Sequence, residues 1–187
     1  MKKLSVPALM LSLALAMPAL AKEKAGVNVP EAITVDGKSL KLNGVGLRKK
    51  AIFKVYVAAL YAENTTQNAN TFINSDQVKQ VKMVMLRDLD QDQIVGAVRD
   101  GFEKNNKAKM PALKERLDKF AAAIPNVKKG DVLTLTYVPG KGTSVTSKSG
   151  QAMTVEGKDF ADALFSVWLG QEPVSDGLRE EMLGQDD

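Results

Sequence analysis

The stretch 42–62 constrains the fold of this chain more than any other segment. After two glycines and a basic triplet, it runs through β-branched, aromatic and small residues with a single charge, Lys54. About ten residues of this composition predict a long β-strand. Because side chains alternate along a strand, Lys54 and Tyr56 share one face and Tyr61 lies on the other. Neither face is polar throughout, so we expect both faces to be covered by other parts of the chain.

A cationic side chain and a phenol in this apolar strand, Lys54 and Tyr56, form an arrangement that can hold an amphipathic acid. Arg48 carries a planar guanidinium that can hold a carboxylate through two hydrogen bonds. The phenol of Tyr56 can donate a hydrogen bond while its ring lines an apolar pocket. We therefore take Arg48, Tyr56 and Lys54 as candidate ligand-binding residues. The alternatives are a solvated basic turn, an ordinary core tyrosine and an edge lysine whose ammonium reaches solvent.

Arg48 and Tyr56 can bind the same carboxylate only if the chain brings them close together. Eight residues of uninterrupted strand would separate them by roughly 26 Å at about 3.3 Å per residue. They can meet one carboxylate only if the chain bends or bulges near residues 49–51.

The rest of the chain predicts one α+β domain. Asp36-Gly37 has the sequence of a hairpin turn. Further strands are predicted over 38–43, 78–87, 132–138, 143–147 and 152–155. Helices are predicted over 69–73, 91–105, 110–124, 158–169 and 175–183. No repeat or linker divides the chain, and this order of elements predicts a sheet with helices on one side. We expect Tyr61 to pack beneath the helices and Trp168 to anchor the core.

The first 21 residues have the pattern of a cleavable secretion signal. Two lysines precede an apolar run over 4–17, and A-L-A at 19–21 forms a cleavage site. The run is too short for a spanning helix, so we expect no stable membrane insertion. We expect the mature chain to begin at Lys22 and to be exported to a periplasm.

Composition favours binding over catalysis. Without the signal, 24 basic and 22 acidic residues remain, a formal charge of +2 that argues against nucleic-acid binding. The chain contains no cysteine and no histidine, which excludes thiolate sites, an imidazole base and an ordinary zinc centre. The acidic run at 88–92 lacks the glycine and distal glutamate of a calcium loop, and it suits a helix N-terminus. We expect no metal and no cofactor.

Two segments resemble the chalcone isomerase-like superfamily, and specifically its bacterial exported branch. The first is G-x-G-x-R-x-K at 44–50, followed by K-V-Y-x-x-x-L-Y at 54–61. The second, at 155–184, has W-L-G, then P-x-S and a short final helix. Together they bracket almost the whole mature chain. The resemblance implies an open-faced β-sandwich, with helices packed on the large antiparallel sheet and a ligand cleft between them.

The same resemblance implies roles for particular residues. In the family the arginine of G-x-G-x-R, here Arg48, enters the cleft. In the fatty-acid-binding branch it holds the ligand carboxylate together with a tyrosine, which matches Tyr56. The resemblance therefore implies a small amphipathic acid as partner, most simply a fatty acid. The sequence leaves the oligomeric state open, with a monomer favoured.

The isomerase side chains are not matched. True isomerases place a tyrosine and an asparagine on the helix after the middle strand, and a threonine or serine near the end of the penultimate helix. The matching positions here carry Gln93, Asp100 and Val167, with Ser166 adjacent. The resemblance therefore assigns no catalytic residue to this chain. The alternatives are a chalcone-type intramolecular lyase with a reduced catalytic set, and an envelope interaction protein without a small-molecule ligand.

Export can be checked directly. The periplasmic fraction of a bacterial host expressing the full chain should yield protein whose N-terminal sequence begins at Lys22. An intact Met1 in that fraction would contradict the predicted signal.

Overall fold

The computed structural model describes residues 21–148 and 153–185. The predicted secretion signal, apart from Ala21, and the first residue of the strand predicted over 152–155 lie outside the described residues.

The strands of the described chain form a small hairpin and a large sheet. The hairpin pairs β1 (Ala21–Lys24) with β2 (Val27–Pro30). The large sheet has seven antiparallel strands paired in chain order. They are β3 (Ala32–Val35), β4 (Lys38–Lys50), β5 (Phe53–Ala62), β6 (Lys79–Met85), β7 (Val132–Val138), β8 (Gly142–Ser147) and β9 (Met153–Val155). The sequence did not reveal the β1–β2 hairpin, because its two four-residue strands carry little periodicity.

Every predicted helix is present, with ends within two residues of the prediction. The helices are α1 (Ala69–Asn74), α2 (Gln91–Asn106), α3 (Met110–Ala122), α4 (Lys158–Leu169) and α5 (Asp176–Met182). A short 3₁₀ turn, Lys107–Lys109, joins α2 to α3. Within the described ranges, no helix combines the length and apolar character needed to span a membrane.

Two separate cores cover the two faces of β5. On one face Ala58 and Leu60 pack with residues of the helices, including Phe160 of α4. On the other face Tyr61 packs with Val29 of β2 and with neighbouring strand residues. The α+β, open-faced sandwich is therefore confirmed, with the helices on the large sheet and the β1–β2 hairpin on its other side.

The prediction that Tyr61 packs beneath the helices is wrong. Its ring lies in the second core, and its hydroxyl donates a hydrogen bond to the carbonyl oxygen of Pro30 at 2.9 Å. Alternation along a strand shows which residues share a face. It does not show which face the helices cover.

The stretch that begins at residue 42 contains parts of two strands. The chain reverses at Ala51 and Ile52, and Ala51 has a φ of 53°. Ile52, expected in the strand, lies in this turn. As a result Arg48 of β4 and Tyr56 of β5 are direct cross-strand partners. The bend needed for them to meet is a complete hairpin turn.

The two glycines before Arg48 let α5 lie directly on β4. A Cβ atom at Gly44 would come within 2.3 Å of the carbonyl oxygen of Glu181. One at Gly46 would come within 2.7 Å of a Leu178 side-chain atom. Since residues two apart on a strand share a face, Arg48 follows these glycines on the helix-covered face.

This contact predicts that two glycine-to-alanine substitutions change the stability of the protein differently. Gly44→Ala should lower the free energy of unfolding by about 2 kcal/mol or more, because the new methyl meets backbone atoms that cannot easily move. Gly96→Ala is the control. Its Cβ would meet nothing within 4 Å on α2, so it should be neutral or stabilise by up to about 1 kcal/mol.

Urea denaturation followed by circular dichroism measures both values. Equal unfolding midpoints for the two variants would contradict the packing of α5 on β4.

Candidate ligand-binding cavity

A cavity of about 440 Å³ lies between the large sheet and helices α2, α3 and α4. Its deeper lining is apolar and comes from both layers, including Met83, Leu135, Val98, Phe120 and Val167. Volumes of this size are typical of pockets for small organic ligands.

The cavity opens between the β4–β5 turn and the N-terminal half of α2. Lining residues at this end are solvent-exposed, in contrast to the buried deeper ones. They are Lys50, Ala51, Phe53, Arg87, Gln93 and Ala97. The site therefore has an exposed mouth and a closed apolar end, which suits a ligand with one polar end.

All the charged residues that line the cavity are cationic: Arg48, Lys50 and Arg87. None of the three forms an ion pair within the described part of the chain. The Arg48 guanidinium donates to the carbonyl oxygen of Lys49, and that of Arg87 lies 5.0 Å from the centre of the Phe53 ring. No carboxylate of the described residues pairs with these cations, so the mouth favours an anion.

Tyr56 lines the cavity beside its cross-strand partner Arg48. Its oxygen accepts a hydrogen bond from the indole nitrogen of Trp168 at 3.1 Å. Among the described residues, no acceptor takes the phenol proton. That proton is therefore free to be donated to a ligand in the cavity.

Burial favours the protonated form of this phenol. It raises the pKa of Tyr56, while the hydrogen bond from Trp168 and the charge of Arg48 act in the opposite direction. At neutral pH Tyr56 is thus a hydrogen-bond donor.

Lys54 does not join the other two candidates. It is exposed and is not part of the cavity lining. The register of β4 and β5 shifts, so that Arg48 pairs with Tyr56 but Lys49 pairs with Lys54. Val55 is therefore an extra residue in β5, and such a bulge reverses the alternation of the residues beyond it.

Phe53 occupies the cavity face where simple alternation placed Lys54. The expectation that Lys54 and Tyr56 share a face is thus wrong, because the bulge cannot be seen in the sequence.

Two of the three positions that the resemblance matched to isomerase side chains line the cavity. Gln93 lies at the mouth and Val167 deeper, whereas Asp100 lies outside the lining and pairs with Lys104 at 2.8 Å. The Ser166 hydroxyl donates to the carbonyl oxygen of Ala163 at 2.6 Å and is also outside the lining. Tyr56 is the one tyrosine among the cavity-lining residues of the described chain.

Sequence reasoning missed three residues of this site. Trp168 is 3% exposed and belongs to the core as expected, but it also lines the cavity and orients Tyr56. Lys50 and Arg87 read as ordinary basic residues near strand ends. Nothing local in the sequence brings Arg87 or Trp168 to the hairpin, because both contacts depend on how distant elements pack.

The burial of the tyrosines predicts an unusual alkaline titration. The sequence has three tyrosines, and burial is the main cause that raises the pKa of each, to about 12 for Tyr61. The folded protein should therefore show little tyrosinate absorbance at a pH of about 10, where about half of the phenols of an unfolded chain are ionised.

The same shifts make stability depend on pH. Because the folded pKa values lie above the unfolded value, their contribution to stability is complete below a pH of about 10 and is lost as the pH rises further. Near-ultraviolet absorbance with and without concentrated guanidinium measures the titration. A phenol of the folded protein that ionises near its ordinary pKa would contradict this burial.

Comparison with known proteins agrees with this architecture. A family model described as chalcone isomerase-like matches residues 21–184. The crystal structure of the fatty-acid binding protein AtFAP1 from Arabidopsis thaliana aligns with a TM-score of 0.70 and 19% sequence identity, covering 89% of this chain and 96% of that chain. Comparison with curated proteins gives no significant match. Because the family model spans nearly all of the described chain, this protein belongs to the chalcone isomerase-like family.

Proposed function

We propose that this protein binds a small amphipathic carboxylate, most simply a fatty acid, and does not transform it. The observation that carries the proposal is the charge of the cavity. Its charged lining residues, Arg48, Lys50 and Arg87, are all cationic and lie around an apolar interior. The fatty-acid binding protein of the same fold supports this proposal.

The carboxylate head is held between neighbouring strands. Arg48 and Tyr56 are cross-strand partners, and together they offer guanidinium donors and a free phenol proton. Charge-assisted hydrogen bonds of this kind offset the cost of removing a carboxylate from water. Lys50 and Arg87 add positive charge at the mouth. Lys54, which is exposed outside the lining, takes no part in holding the ligand.

The alkyl tail lies along the apolar interior towards Phe120 and Val167. Each buried methylene contributes on the order of 0.8 kcal/mol, which is about fourfold in affinity. Affinity should therefore rise with chain length and level off when the cavity is full.

The lack of catalysis is part of this proposal. Gln93 and Val167 occupy the positions where isomerases carry polar catalytic side chains, and Asp100 is outside the cavity lining. A chalcone should cyclise no faster with the protein than without it. A clear acceleration that disappears in Arg48→Ala would favour the alternative, a lyase with a reduced catalytic set.

The place of action is also proposed. The predicted signal at 1–21 would deliver the chain to the periplasm, and the N-terminal sequence of exported protein tests this step. The binding chemistry of the cavity does not depend on it.

Arg48→Gln tests the ligand site. Loss of a charge-assisted hydrogen bond should weaken fatty-acid binding by about 10- to 100-fold, while the glutamine, though shorter, keeps a polar side chain without the charge. Lys54→Gln is the matched control and should bind as the wild type does, because this exposed cation lies outside the lining.

Trp168 provides the measurement. It is the one tryptophan of the sequence and lines the cavity, so its fluorescence should report occupancy by fatty acids of increasing length. Native mass spectrometry of freshly purified protein shows whether a lipid co-purifies. If no fatty acid binds, or if Arg48→Gln and Lys54→Gln bind equally well, an interaction protein without a small ligand becomes the better interpretation.

A further inference from the structure

The turn between β4 and β5 exposes two large apolar side chains. Ile52 is 88% exposed and Phe53 is 56% exposed, and they are the exposed large hydrophobic residues of the described chain. We call residues 49–54 the hairpin tip. Two adjacent exposed apolar side chains at a turn can insert into another phase without any rearrangement of the fold.

The hairpin tip is also strongly basic. Lys49 and Lys54 are direct cross-strand partners, and Lys50 pairs with Phe53. Like charges opposite each other on neighbouring strands destabilise a sheet. None of these three exposed lysines forms an ion pair within the described ranges, so an external anion would relieve their repulsion.

We propose that the hairpin tip docks on the surface of a membrane that contains anionic lipids. Ile52 and Phe53 would enter the boundary between headgroups and acyl chains, while Lys49, Lys50 and Lys54 contact lipid phosphates. Apolar residues flanked by lysines are the combination that binds such interfaces. The apolar pair is narrow and is flanked by cations on both strands, which fits a bilayer surface better than a protein groove.

The position of the tip connects this surface to the cavity. Lys50, Ala51 and Phe53 belong to the tip and also line the cavity mouth. Docking would therefore place the opening against the phase in which amphipathic acids concentrate. This link to cargo rests on the proposed function, whereas docking itself does not require a ligand.

Vesicle flotation tests the docking. Wild-type protein should bind vesicles of phosphatidylcholine mixed with phosphatidylglycerol far better than pure phosphatidylcholine vesicles, and added salt should weaken the binding. Ile52→Ser should reduce binding several-fold, and the double variant Lys49→Glu with Lys54→Glu should reduce it on the order of tenfold or more.

A charge-matched control comes from the turn between α2 and α3. Lys107 and Lys109 are exposed, are spaced by one residue and form no ion pair in the described chain. Changing both to Glu alters the net charge by the same amount as the double variant of the tip. This control variant should still bind anionic vesicles nearly as well as the wild type does.

The outcomes separate docking from ligand binding. In solution, tip variants at positions 49, 52 and 54 should bind fatty acid as the wild type does by Trp168 fluorescence, whereas Arg48→Gln should lose ligand but still float with anionic vesicles. Equal binding to both vesicle types, or equal losses in the tip and control charge variants, would overturn the proposal. So would a protein partner that is lost in the tip variants while vesicles remain unbound.

Discussion

The antiparallel pairing of β4 with β5 is the constraint on which the site depends. It sets Arg48 opposite Tyr56, so that both residues, from neighbouring strands, line the cavity. The extra residue Val55 then reverses the alternation of the strand that follows the turn. Because of this one bulge, Phe53 lines the cavity and Lys54 lies in solvent.

The glycines that precede Arg48 act through packing. Gly44 and Gly46 have no side chain to separate β4 from α5, and Glu181 of that helix accepts a hydrogen bond from the Leu47 N–H at 2.6 Å. The final helix thus rests on the strand immediately before the arginine. The G-x-G-x-R pattern therefore combines two glycines that permit a close helix contact with an arginine that lines the cavity.

Within the described residues, the cavity keeps the Tyr56 hydroxyl available as a hydrogen-bond donor. Trp168 donates to the oxygen of Tyr56, and the phenol proton has no acceptor in the described chain. The cavity contributes cations at its mouth and apolar side chains beyond it. A ligand that fits both regions is negative at one end and apolar at the other, as in the proposed fatty-acid ligand. The proposed docking of the hairpin tip on an anionic membrane rests on a similar combination of positive charge and exposed apolar side chains.

The sequence by itself determined the helices, most of the strands, the family and two of the residues that line the cavity, Arg48 and Tyr56. Helical periodicity, caps and strand alternation are local properties, so they can be read over a few residues. Only the tertiary structure decided that Tyr61 faces away from the helices, that Lys54 leaves the cavity face, and that Trp168 meets Tyr56. The physical reason is that each of these depends on a bulge, or on which distant element covers a given face, and neither is encoded in the spacing of neighbouring residues.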